Sequence, residues 1–164
     1  MHDKEVLRPT ADRVRETLFN WLQNFIEGAH CLDLFAGTGA LGFEAASRGA
    51  ASVTLVENDR ALCDQLTKNI NTLSAENVKL VQTNALSWLQ GCSQKFDLVF
   101  LDPPFEQGLV EKSCDLLRTK DCVDENGLIY IESEVELQLP EYLEIIKQGK
   151  AGHVKYLLAR LDNT

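Results

Sequence analysis

Asp33-Leu34-Phe35-Ala36-Gly37-Thr38-Gly39-Ala40-Leu41-Gly42 lies where an apolar run beginning at His30 gives way to a helical pattern. Glycines at such a place let the backbone turn tightly and let a ligand lie against main-chain N–H groups at a helix N-terminus. Glu57 follows Gly37 by 20 residues, at the end of the next apolar run. From that position a carboxylate accepts hydrogen bonds from ribose hydroxyls. The glycines alone would serve a plain strand-to-helix turn equally well, but with Glu57 they read as a nucleoside-cofactor site.

Working outward, short apolar runs alternate with helical stretches. Strands are expected over residues 30–35, 52–56, 78–82, 96–101 and 128–132, and helices over 41–48, 60–73, 85–89 and 109–118. The strands are almost wholly apolar, as when helices cover both faces of a parallel sheet. An amphipathic helix over 12–27 precedes them, with Thr10 or Asp12 as N-cap and Gly28 as the stop. After Leu139-Pro140, residues 142–147 and 154–161, separated by a break over 148–152, read as a closing antiparallel hairpin. The expected fold is α/β, a Rossmann-like doubly wound sheet, mostly parallel. One domain spans residues 1–164, with 1–27 as an N-terminal motif and helix.

Composition agrees: 164 residues with 45% hydrophobic and 25% charged side chains suit a single globular domain rather than a disordered or disulfide-stapled chain. No apolar window reaches membrane-spanning length and the start resembles no signal peptide, so a cytoplasmic protein without membrane contact is expected. The five cysteines include no C-x-x-C pair, so they read as reduced thiols and no metal is expected. A net charge of −9 argues against a nucleic-acid partner. Its distribution answers that objection, because residues 97–144 hold 13 acidic and 3 basic residues while Lys147, Lys150, Lys155 and Arg160 form an acid-free stretch.

Two cofactors compete for the glycine turn. A dinucleotide would set pyrophosphate on the helix N-terminus. S-adenosylmethionine has no phosphate and needs an acid near its ammonium group, which Asp33 supplies, and the chain is too short for two dinucleotide halves plus a substrate domain. The balance favours S-adenosylmethionine, with Asp33, Phe35, Gly37, Gly39 and Glu57 as its binding residues. Asn84 and Ala85, at the exit of the third strand, are expected at the adenine, and Asn84 serves equally as a helix N-cap.

Asp102-Pro103-Pro104-Phe105 directly follows the strand FDLVFL. Paired prolines end a strand and stiffen the loop, fixing Asp102 and the Pro103 carbonyl at the carboxyl edge of the sheet. The exocyclic amino group of a nucleobase is a poor nucleophile because its lone pair is delocalised into the ring. Two acceptors on its N–H groups hold the nitrogen nearer tetrahedral and aim the lone pair at a methyl donor. Phe105 offers a ring for the base to stack on. The plain alternative is a rigid capping turn with Phe105 buried.

With RPTADRVRETLFNWL, LDLFAGTGALGFEAASRGA, VEND and LDPPF in this order, the chain resembles the RsmD family. These are class I S-adenosylmethionine-dependent methyltransferases acting on the 2-amino group of one guanine in bacterial small-subunit (16S) rRNA. The resemblance runs from Leu7 to AGHVKYLLAR and implies a seven-stranded sheet. It also implies cofactor contacts around Asp33, Gly37, Gly39, Glu57, Asn84 and Ala85, and guanine held by Asp102 to Phe105. The family's opening motif maps onto Arg8, Thr10, Arg13 and Arg15, so these are candidate RNA contacts, although Arg13 and Arg15 pair as readily with Asp12 and Glu16. The implied partner is 16S rRNA within a small-subunit assembly particle. Only MHDKEV precedes the motif, where the family has a basic, glycine-containing stretch, so a truncated or unusual start and weakened RNA affinity are expected. The wider class often has Asp at the position of Asn84. The rival activities are methylation of the adenine 6-amino group, a non-catalytic rRNA-binding assembly module and, last, a dehydrogenase.

Overall fold

The computed structural model describes residues 9–105 and 107–162, and of Pro9 and Thr10 only the helical backbone. α1 (Pro9–Trp21) opens on a proline, whose fixed φ and missing N–H suit the first helical position. Thr10 and Asp12 therefore lie inside the helix rather than capping it. The helix also stops earlier than its apolar spacing predicts. The Phe25 N–H donates to the Leu22 carbonyl at 2.8 Å, a tightened turn, and Leu22 and Ile26 still reach the core. Apolar spacing reports which side chains are buried, and an irregular turn can bury them as a helix does.

Then follow β1 (His30–Asp33), α2 (Ala40–Ser47), β2 (Ser52–Glu57), α3 (Arg60–Leu73), β3 (Val78–Gln82), α4 (Ala85–Gln90), β4 (Phe96–Leu101), α5 (Leu109–Thr119) and β5 (Val123–Glu134). Besides β2, which runs one residue further to Glu57, two expected strands differ in extent. β1 ends at Asp33, and β5 begins at Val123, which pairs with Phe96 before a register shift brings Leu128 opposite Leu98. The exposed Asp124-Glu125-Asn126 in that irregularity conceals the strand's start. β6 (Leu143–Ala151) and β7 (Val154–Leu161) form the hairpin, and the expected break over 148–152 is largely strand. Gly149 stays within β6 because the Tyr156 ring covers it, so closely that a Cβ there would lie 2.5 Å from the ring. Only Gly152-His153 turn the chain, with Gly152 at φ 61°, as the first position of a II′ turn requires.

The seven strands form one sheet in the order β3-β2-β1-β4-β5-β7-β6, parallel except for the two ladders made by β7. Alternate residues of each strand feed two cores. Cys31, Leu55, Phe100 and Tyr130 face α1, α2 and α3, while Leu32, Val56, Val99 and Ile131 face α4 and α5. The five cysteines are free, and burial pushes the Cys31 and Cys114 thiols up to about 12, where they behave as small apolar side chains. No helix among the described residues is long and apolar enough to cross a membrane.

Candidate active site

The chain runs from β1 outward to β3 and returns on the far side of β1 as β4, so a crevice opens above the carboxyl ends of β1 and β4. Four acids stand along that edge, each two residues beyond a core side chain of the same face: Cys31 and Asp33, Leu55 and Glu57, Phe100 and Asp102, Tyr130 and Glu132.

The glycine turn is held by two of them. Glu57 accepts the Gly37 N–H at 2.7 Å through Oε1 and the Asp59 N–H at 2.9 Å through Oε2. Asp33, 2% exposed, accepts the Gly42 N–H at 3.2 Å, placing a carboxyl at the N-terminus of α2. Each glycine has its own reason. Gly37, at φ 58°, has open space where a Cβ would be, whereas a Cβ on Gly39 would lie 2.6 Å from Leu66 and one on Gly42 2.4 Å from Leu55.

A cleft of about 500 Å³ opens beside this turn, lined by Phe35, Gly37, Glu57, Asn84, Ala85 and Asp102-Pro103-Pro104 among others. Asn84 caps α4, its Oδ1 accepting the Ser87 N–H at 3.0 Å, as the N-cap reading expected. Asp33 and Gly39 are buried at the turn and are not among the residues that line this cleft. Phe105 is 41% exposed, so the reading of it as a buried ring in a capping turn fails.

A second cavity of about 300 Å³ lies on the other side of Asp102, lined by Ala11, Val14, Arg15, Leu41, Glu132 and Val154 among others. Asp102 thus borders both spaces. Burial, then the charges of Glu132 and Asp33, hold its carboxyl well above the ordinary carboxylate range. Burial raises Glu132 too, partly offset by the Tyr130 hydroxyl, which donates to its Oε2 at 2.7 Å. Asp33 is pushed up to about 7, chiefly by burial.

Comparison with known proteins matches this geometry to a family. The family described as "Conserved hypothetical protein 95" matches residues 1–160. "Ribosomal RNA small subunit methyltransferase D" of Escherichia coli (strain K12) is 50% identical over 159 residues, covering 95% of this chain and 80% of that protein. Its namesake from Haemophilus influenzae is 44% identical over 162 residues, covering 95% and 84%. The chain belongs to the ribosomal RNA small subunit methyltransferase D family. It is a methyltransferase. The solved structure of yhhF from Escherichia coli superposes with a TM-score of 0.90 at 49% identity, covering 96% of this chain and 89% of that one, so the α/β fold is also the family's.

In this methyltransferase the candidate RNA residues divide. Arg15 pairs with Asp12 at 3.1 Å and lines the second cavity, while exposed Arg13 lines a groove between α1 and α2 with Arg48. Arg8 lies outside the described residues, as does the side chain of Thr10. Sequence reasoning missed Glu132 and Tyr130. Their signal was two polar groups spaced by two in the strand run Leu128 to Glu132, which puts both on one face of a strand.

Proposed function

We propose that the chain transfers a methyl group from S-adenosylmethionine to the 2-amino group of a guanine in 16S rRNA, as the name of its 50%-identical relative suggests for the RNA. The observation that carries this reading is Asp102, a carboxylate bordering both a cofactor-sized cleft and a separate cavity.

The residues present fit the cofactor. Gly37 leaves open space above the turn, and Glu57, though it accepts two backbone N–H groups, keeps acceptor capacity for ribose hydroxyls because a carboxylate has about four acceptor sites. Asn84 and Ala85 sit across the same cleft, at the adenine in this reading. When bound, S-adenosylmethionine supplies an electrophilic methyl group on its sulfonium.

The chain's own residues do the rest. Asp102 accepts one N–H of the guanine amino group and the Pro103 carbonyl is assigned the other, which aims the nitrogen lone pair towards the cleft. The paired prolines keep both acceptors fixed, so little reorganisation is needed at the moment of reaction. Once methylated, the nitrogen is acidic, and Asp102 takes its proton; a carboxyl raised by burial and neighbouring charge is the better acceptor. Exposed Phe105, beside this loop, is assigned to stack on the base or a neighbour.

The test is transfer of tritiated methyl from S-adenosylmethionine into free 16S rRNA and into partly assembled small subunits lacking the modification, followed by nucleoside digestion. Label in 2-methylguanosine is expected, and greater label in particles would support the assembly-particle substrate. Label in 6-methyladenosine would replace the reading. Asp102→Ala should lower kcat by about 100-fold or more with calorimetric cofactor affinity nearly unchanged; near-normal turnover would remove Asp102 from its role.

A further inference from the structure

Glu132 has no part in the mechanism above, yet it is the second carboxylate of the cavity beyond Asp102. β4 and β5 are parallel neighbours with Phe100 opposite Tyr130 and Leu101 opposite Ile131. The next residues along the two strands are Asp102 and Glu132, on the face that Phe100 and Tyr130 share. Neighbouring strands lie about 4.8 Å apart, so two acceptor groups stand side by side at the end of the cavity. The Tyr130 hydroxyl, donating to Oε2 at 2.7 Å, orients the Glu132 carboxylate and uses one of its acceptor sites. Apart from Arg15, which is paired with Asp12, the remaining lining is apolar: Ala11, Val14, Ala40, Leu41, Ala151 and Val154.

We infer that Glu132 is the base-reading residue of this site: its carboxylate accepts the ring N1–H of guanine while Asp102 accepts an N–H of the adjacent 2-amino group. The inference rests on the guanine reading of the site. Guanine presents N1–H and N2–H₂ as neighbouring donors on one edge, and a pair of carboxylates is a pair of acceptors. Adenine and 2-aminopurine each carry an amino group beside an unprotonated N1, whose lone pair would face the Glu132 oxygen with no proton between them. Because the two carboxylates are largely buried, that mismatch is costly: an acceptor facing an acceptor there loses a hydrogen bond that the guanine edge would make. The raised carboxyls agree: burial disfavours both charges and Glu132 adds to the rise at Asp102, so a base donating an N–H to each offsets what burial costs. Tyr130 is the positioning residue, acting through Glu132.

2-Aminopurine separates this from a purely structural Tyr130–Glu132 pair, because it keeps the 2-amino nucleophile and lacks only N1–H and O6. The nucleotide that takes label is mapped first, and 16S rRNA is then ligated with guanine, 2-aminopurine or adenine at that nucleotide and assembled with subunit proteins. The parent enzyme is expected to prefer guanine over 2-aminopurine by about 10- to 100-fold in kcat/KM, the range for one hydrogen bond to a charged group. Glu132→Gln should bring that ratio towards one, since an amide accepts from N1–H or donates to a bare N1, and Tyr130→Phe should lower it part of the way. Calorimetric affinity for S-adenosylmethionine reports whether each variant is folded, and the parent's own preference decides the matter if neither is. Equal rates on guanine and 2-aminopurine by the parent, or a preference undiminished in folded Glu132→Gln, would overturn the inference and leave the guanine reading intact. Absence of 2-methylguanosine from the parent on the guanine RNA would overturn both.

Discussion

At the scale of single residues, Asp33 and Glu57 hold the same turn, and Asp33 makes it sensitive to pH. Asp33 rises from 3.8 to about 7 in the folded protein, mainly through burial. The folded state therefore keeps its proton to higher pH than the unfolded chain does. The associated stability is fully present below the unfolded value of 3.8 and is lost as pH rises through about 7. Asp33→Asn removes the ionisation while its amide oxygen still accepts the Gly42 N–H. The melting temperature of Asp33→Asn relative to the parent should therefore increase between about pH 5 and about pH 8; a constant or falling difference would contradict the assigned titration. Glu57 is partly exposed and accepts backbone N–H groups with both oxygens, so Glu57→Gln converts one acceptor into a donor facing an N–H. Affinity for S-adenosylmethionine should fall about 10- to 100-fold by calorimetry, and an unchanged value would separate Glu57 from the cofactor.

Among elements, two glycines make a matched contrast. A Cβ at Gly42 of α2 would lie 2.4 Å from Leu55 and 3.2 Å from Val53, both buried, so Gly42→Ala should destabilise by about 1 to 3 kcal/mol through overpacking of helix on sheet. Gly152 has nothing within 4 Å and objects only through its φ of 61°, so Gly152→Ala should cost about 1 to 2 kcal/mol through the backbone alone. Urea midpoints distinguish them: extra shrinkage of a buried neighbour, as in Leu55→Ala, should relieve the first substitution and leave the second untouched. The same elements explain what the sequence disclosed. β2 and β4 were legible because strands buried on both faces are nearly all apolar, and Asp102 was legible because two prolines mark the end of its strand. The end of α1 was hidden because Leu22 and Ile26 keep helical spacing while packing from a turn. Glu132 was hidden because acids are ordinary at strand ends, and only the register that sets β5 beside β4 gives this one a partner.

Over the whole molecule, a net charge of −9 opposes an RNA substrate only if charge acts as a total. It does not, because screening at physiological salt limits an exposed charge to about 8 Å. Asp97, Asp124 and Glu27 gather around a shallow cavity at the amino ends of β4 and β5. The five steps from Asp97 along β4, at about 3.3 Å each, put that cavity roughly 16 Å from Asp102. Arg13, Arg15 and Arg48 line the groove of α1 and α2, and Arg15 also lines the cavity at the opposite end, beside Asp102. Asp97, Asp124 and Glu27 are thus about two screening lengths from the opening that RNA must approach, whereas Arg13, Arg15 and Arg48 adjoin it in a groove that also holds Asp12, Glu16 and Glu44, with Arg15 paired to Asp12 and Arg48 to Glu44. If these local charges govern the encounter, binding of a 16S rRNA fragment should weaken with added salt, and Arg13→Ala should reduce the slope of log affinity against log salt by about 1. Asp124→Asn changes the net charge by the same amount, towards stronger binding, but lies at the far end, so it should leave both slope and affinity nearly unaltered. Equal and opposite responses to the two substitutions would mean that total charge controls RNA binding, and the groove of α1 and α2 would then lose its claim as the RNA-facing surface.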